Sequence, residues 1–143
     1  MPPARTLLLG FLAGFLAVPT FHQATIWLMG QAGLLPAGAA WNLAPVPPLG
    51  VPRVLSLAFW GGVWGVVIGA ILLARPRASP VAIGLFVGAV LCVLAGFSIV
   101  AALRGQPLWA GGDIQRWWRS ILINGIWGLG AGLFLRAFLQ RRW

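Results

Sequence analysis

Four stretches of this chain, Thr6 to Ala32, Val54 to Ala74, Pro80 to Leu103 and Trp117 to Leu139, are long and apolar enough to cross a bilayer. The only acidic residue, Asp113, lies outside all of them. A hydrocarbon core about 30 Å thick takes roughly 20 helical residues, and a helix is favoured there because it satisfies its own backbone groups. The pattern predicts an all-α integral membrane protein: one domain over residues 1–143, with four transmembrane helices in a compact bundle. Hydrophobic residues make up 60% of the chain and charged residues 8%, too few to coat an aqueous globule. Arg5 followed by Leu7 to Val18 imitates a signal peptide, but apolar character continues through Trp27 to Ala32, so a retained first helix is expected.

A net charge of +9 would suggest nucleic acid in a soluble protein. Here the ten arginines cluster at the ends of the apolar runs, where they act as membrane anchors and orientation signals, and no nucleic-acid partner is expected. Placing the N-terminus in the cytoplasm puts Arg5, Arg75, Arg77, Arg136, Arg141 and Arg142 inside and Arg53, Arg104, Arg116 and Arg119 outside. That excess predicts both termini on the cytoplasmic side. Lysine and tyrosine are missing while Arg, Ala, Gly, Pro and Trp are abundant, as expected of a G+C-rich bacterial genome and hence of a bacterial inner membrane.

Proline punctuates the boundaries, since it cannot continue a helix. Arg75-Pro76-Arg77 and Pro80 predict a tight turn, and the run Ala44 to Pro52 predicts a stiff extended segment lying over the mouth of the bundle. Asp113 has the position and chemistry of an N-cap for the fourth helix. Trp27, Trp41, Trp109, Trp117 and Trp118 fall where an interfacial belt would lie, whereas Trp60, Trp64 and Trp127 are expected inside, each needing an acceptor for its indole N–H.

A displacement of 63 residues aligns Arg53 with Arg116, Gly62 with Gly125, Trp64 with Trp127, Gly65 with Gly128 and Gly69 with Gly132. The first and third spans agree through Gly10-x3-Gly14 and Gly84-x3-Gly88. Two explanations stand: a tandem parallel repeat of two helix pairs about an axis along the membrane normal, or convergent use of Gly and Trp. Gly10, Gly14, Gly61, Gly65, Gly69, Gly84, Gly88, Gly128 and Gly132 form small-residue faces in all four spans, which let backbones approach closely where no hydrophobic effect drives association. Such faces serve either the bundle itself or assembly with other chains.

Polar side chains at membrane depth are few, and all lie in the outer half: Thr20, His22, Gln23, Thr25, Ser56, Ser98, Ser120 and Asn124. Because polar groups in hydrocarbon turn toward protein or water, His22, Gln23, Ser56, Trp60 and Asn124 are the candidate polar cluster or ligand-binding residues. The simpler alternative is a hydrogen-bonded staple between helices. Pro19 should release a carbonyl near Phe15 and bend the first helix beside that cluster.

Reactive chemistry has little to work with. The chain has no glutamate to couple protons to transport, its sole Asp is in a loop while its sole His is mid-helix, which excludes a Ser-His-Asp triad, and lone Cys92 reads as a packing residue. No metal site, no cofactor and no catalytic residue is expected. The segments Phe21 to Gln23, Ala44 to Pro52 and Leu55 to Gly65 resemble those of small four-span bacterial inner-membrane proteins, a resemblance that implies location and no activity. The leading expectation is a non-enzymatic membrane protein, an accessory subunit or small assembly unit. Its partners would be membrane lipids and either other membrane subunits or a second copy in a homo-oligomer. The alternatives are a small transporter or channel with an outer-half polar cavity, and a lipid- or quinone-binding protein.

Overall fold

A computed structural model describes residues 2–140, so Arg141 and Arg142, counted above among the cytoplasmic arginines, lie outside the described residues. Four helices long and apolar enough to cross a membrane account for most of it: α1 (Pro3–Gln31), α2 (Arg53–Ala74), α3 (Pro80–Leu103) and α4 (Ile114–Gln140). α4 begins three residues before the predicted Trp117, because the Asp113 carboxylate accepts the Gln115 N–H at 2.9 Å and caps the helix there. At the opposite end of the bundle, Arg75–Ser79 makes the short turn between α2 and α3, with the Ser79 hydroxyl accepting from the Ala82 N–H at 3.5 Å.

The glycine faces set how the helices pair. α1 packs on α2 with Gly10 against Gly65 and Gly14 against Gly61, and a Cβ at Gly61 would stand 2.8 Å from the Gly14 carbonyl oxygen. α3 packs on α4 with Gly84 against Gly128 and Gly88 against Asn124. Further contacts repeat the register. Gly69 faces Thr6 and Leu7 as Gly132 faces Pro80 and Val81, and Gly62 receives Phe11 as Gly125 receives Leu85. Adding 74 to each α1 number and 63 to each α2 number converts every one of these α1–α2 contacts into its α3–α4 counterpart. The faces that could have served assembly with other chains are thus buried within this one.

The two pairs join through α1 and α4, which touch along much of their length. Phe21 of α1 lies over Gly130 of α4, where a Cβ would come within 2.9 Å of the Phe21 Cβ, and its ring meets Phe134 edge-on at 5.8 Å. Nearby, Ala13, Ala17, Val18, Trp127, Ala131 and Leu135 form the centre of the core. By contrast, α2 meets α3 mainly over the α3 segment 80–92, close to their connecting turn. Beyond that segment the two helices part toward the end that carries the long loops.

The helices are not regular throughout. In α1 the π-helical segment Val18–His22 follows from Pro19, which has no N–H to give; α3 has two such segments, Val87–Cys92 and Gly96–Val100. Val18 N–H bonds to the Phe15 carbonyl, and the acceptor left for tertiary use is Gly14, one residue before the expected position. The run Ala44 to Pro52 is not an extended strap. It folds into a small hairpin in which β1 (Pro45–Val46) pairs antiparallel with β2 (Val51–Pro52). Gly50 makes the reversal with φ of 68° and donates its N–H to Val46 at 2.9 Å, a turn that proline-rich composition alone does not announce.

A candidate amphiphile cleft

Where α2 and α3 part, a cleft of about 590 Å³ opens, with all four helices contributing walls. α1 supplies Val18 and His22; α2 supplies Leu57, Trp60, Gly61 and Trp64. α4 presents Arg116, Ser120, Asn124 and Trp127, which recur at helical spacing along one face. The bowed, π-helical part of α3 closes the far side with Cys92, Gly96, Phe97 and Val100, while Arg104 and Gln106 stand at the mouth. Space at Gly96 is open: a Cβ there would meet nothing within 4 Å.

The cleft is graded in polarity along its length. Arg116 to Asn124 spans eight residues, about 12 Å of helix, and Ser120 lies halfway. Guanidinium groups therefore mark the mouth, hydrogen-bonding groups the middle, and indoles with Cys92 the floor. The Arg116 guanidinium lies 5.9 Å from the centre of the Phe97 ring, and Phe97 in turn meets Trp117 edge-on at 4.9 Å. The sole carboxylate side chain, Asp113, does not line the cleft.

Hydrogen bonds define what the polar middle offers. The Trp41 backbone N–H donates to Gln23 Oε1 at 2.7 Å, so the Gln23 amide nitrogen is the group that faces His22 Nδ1 at 3.0 Å and donates to it. A neutral imidazole accepting at Nδ1 carries its hydrogen on Nε2. His22 thus brings a donor to the cleft, and that nitrogen has no hydrogen-bond partner among the described residues. Asn124 donates through Nδ2 to the Ser120 carbonyl at 2.9 Å and to Ser120 Oγ at 3.3 Å. That leaves the Asn124 carbonyl oxygen as an acceptor and the Ser120 O–H as a donor.

The five residues singled out from sequence separate into two groups. His22, Trp60 and Asn124 come together at the cleft. Gln23, 1% exposed, lies behind His22 and orients it while anchoring the first long loop; it borders a smaller cavity of about 290 Å³ with Asn42 and Arg53. Ser56, half-buried on α2, lines neither cavity and is not part of the site. Trp60 is 59% exposed and stands at the cleft's edge instead of inside the bundle, because the loop-end half of α3 makes little contact with α2.

Trp127 does meet the expectation for an interior tryptophan: 3% exposed, it donates to the Gly14 carbonyl at 3.0 Å. Trp64 is half-buried and borders the cleft. Of the expected belt, Trp27, Trp41 and Trp109 are exposed, and several indoles are tied to the chain. Trp41 Nε1 donates to the Pro19 carbonyl at 2.8 Å, Trp117 Nε1 to the Trp109 carbonyl at 3.0 Å, and Trp118 Nε1 to Gln115 at 2.7 Å. Those bonds hold Trp41 in a left-handed conformation at φ of 48°, which few non-glycine residues adopt. Thr20, Thr25 and Ser98 donate their hydroxyls to the carbonyl four residues back, so their O–H groups are already satisfied within the helix.

Sequence reasoning did not identify the α3 wall. Cys92, Gly96 and Phe97 sit in a uniformly apolar span whose only sign of irregularity is glycine. Comparison with protein families, with curated proteins and with solved structures gives no match to this chain.

Proposed function

We propose that this chain is a multi-pass protein of a bacterial inner membrane that holds a small amphipathic molecule in the cleft between α2 and α3, without catalysing a reaction on it. The cleft carries this reading: it combines a cationic mouth, a hydrogen-bonding middle and an aromatic wall, and it lies between helices whose outer faces suit lipid. Lipids enter such a site sideways from the bilayer. The glycine faces that suggested assembly with other subunits now support intrachain packing instead.

The shared register of the two helix pairs supports a tandem parallel duplication, with α1 and α3 running in one direction and α2 and α4 in the other. The arginine distribution supports both termini in the cytoplasm, which directs the cleft's mouth outward. A channel is the less favoured reading, because Trp64, Trp127 and Cys92 form the floor and, among the described residues, the cleft's lining includes no polar side chain beyond them.

Gly96→Leu tests the binding role. Its side chain enters open space in the cleft, so the variant should fold normally yet lose co-purifying lipid in native mass spectrometry. Lipid adducts identical to those of the unmodified protein would defeat the reading.

A further inference from the structure

We infer that the molecule held in the cleft carries an anionic, phosphate-class head, seated between Arg104 and Arg116, with its tail along Trp60 and Phe97. The inference rests on the amphiphile reading above and adds the chemical class of the ligand. Three features support it. First, the mouth bears two guanidinium groups and no carboxylate faces them within the cleft. Both side chains are exposed, and an anionic occupant gains charge-assisted hydrogen bonds from them that a neutral one does not. Guanidinium also matches phosphate oxygens with two parallel donors, a geometry that a single ammonium cannot reproduce.

Second, the mouth is pre-arranged. The Arg116 guanidinium lies over the Phe97 ring, 5.9 Å from its centre, a cation–π contact that biases an otherwise exposed side chain toward the cleft. Third, the donors beneath the mouth suit the acceptor oxygens that follow a lipid phosphate. Ser120 lies one helical turn below Arg116, about 6 Å along α4, and His22, with its hydrogen on Nε2, lines the same cleft. Beside these groups the lining includes Leu57, Trp60 and Val100, and below them Trp64, Trp127 and Cys92, all of which suit hydrocarbon. The head, the linkage and the tail of a phospholipid each meet complementary chemistry in that order.

The test is native mass spectrometry of the full chain in detergent, offered phosphatidic acid and phosphatidylcholine of matched acyl chains in equal amounts. The unmodified protein should retain phosphatidic acid over phosphatidylcholine about tenfold, as expected for charge-assisted hydrogen bonds. Arg104→Gln with Arg116→Gln should abolish that preference while leaving some of both lipids bound. Arg53→Gln, at the same end of the bundle but outside this cleft, should keep it. Gly96→Leu should remove both lipids.

Equal retention of the two lipids by the unmodified protein, or an unchanged preference in the double variant, would overturn the anionic head while leaving amphiphile binding intact. Loss of preference in Arg53→Gln would attribute it to diffuse surface charge and likewise overturn the cleft assignment. Displacement of phosphatidic acid by millimolar inorganic phosphate would identify a free anion, not a lipid, as the ligand and would also overturn the proposal. Undiminished adducts in Gly96→Leu would bring down the amphiphile reading itself.

Discussion

The seam between α4 and α1 and the seam between α2 and α3 occupy equivalent places in the bundle, yet one is closed and the other open. Under the relation that maps Gly10–Gly65 onto Gly84–Gly128, Trp127 on α4 corresponds to Trp64 on α2, and Gly14 on α1 to Gly88 on α3. At the closed seam Trp127 donates to the Gly14 carbonyl across the interface. Trp64 makes no corresponding bond among those described and faces the cleft instead.

Particular residues explain the difference. The closed seam is filled by Phe21 over Gly130, and the equivalent positions at the open seam hold Ala95 and Val67. A large ring facing a hole became a small side chain facing a β-branched one. Without that knob α3 has nothing to hold it against α2, and its π-helical stretches carry the backbone outward. The comparison teaches that a near-symmetric bundle opens a cleft where one of two corresponding interfaces is left unfilled.

The largest effect should come from emptying the closed seam. Phe21→Ala removes a ring packed against Gly130 and Phe134 and should cost about 3 kcal/mol, read as a lowered unfolding midpoint in detergent. A loss below about 1 kcal/mol would mean that Phe21 does not hold the two pairs together.

Next comes the tryptophan pair. Trp127→Phe deletes a buried indole donor and leaves the Gly14 carbonyl unpaired beside the π-helical segment at Pro19, so a loss of about 1–2 kcal/mol is expected. Trp64→Phe, at the equivalent position, should change stability by no more than about 0.5 kcal/mol. Equal losses in the two variants would remove the asymmetry.

The smallest change in stability is expected from building the missing contact. Val67→Gly with Ala95→Phe recreates the knob and hole at the open seam, and the helix-propensity cost of glycine, about 1 kcal/mol, offsets much of the packing gained. Its readout is ligand, not stability: lipid adducts should fall as α3 is drawn toward α2. Adducts at the original level would show that these two positions do not control the opening.

How much of this was legible in the chain depends on which interaction carried it. Helix number and near-correct limits followed from length and apolarity. Asp113 as a cap, Trp127 as an interior donor and the glycine pairing followed from chemistry tied to single residues. His22 and Asn124, both read as outer-half candidates, line the same cleft.

Trp60 was misread because its exposure depends on where α3 goes, a long-range outcome that no local pattern contains. Gln23 and Ser56 share the depth of the cluster but point elsewhere, since depth fixes position along a helix and not rotation about it. The hairpin at Pro45–Pro52 escaped notice because its reversal relies on one glycine among prolines. The open seam itself is the absence of a contact, visible only when the two halves are laid over one another.

A density map of the protein in lipid nanodiscs would test the central claim most directly. The account predicts α1 closed on α4 through Trp127 and Gly14, α2 and α3 apart beyond Cys92, and elongated density running from Arg104 and Arg116 past Trp60 and Phe97. α2 and α3 joined along their full length, with the Trp64 indole on a carbonyl of α3 and no density between them, would contradict it.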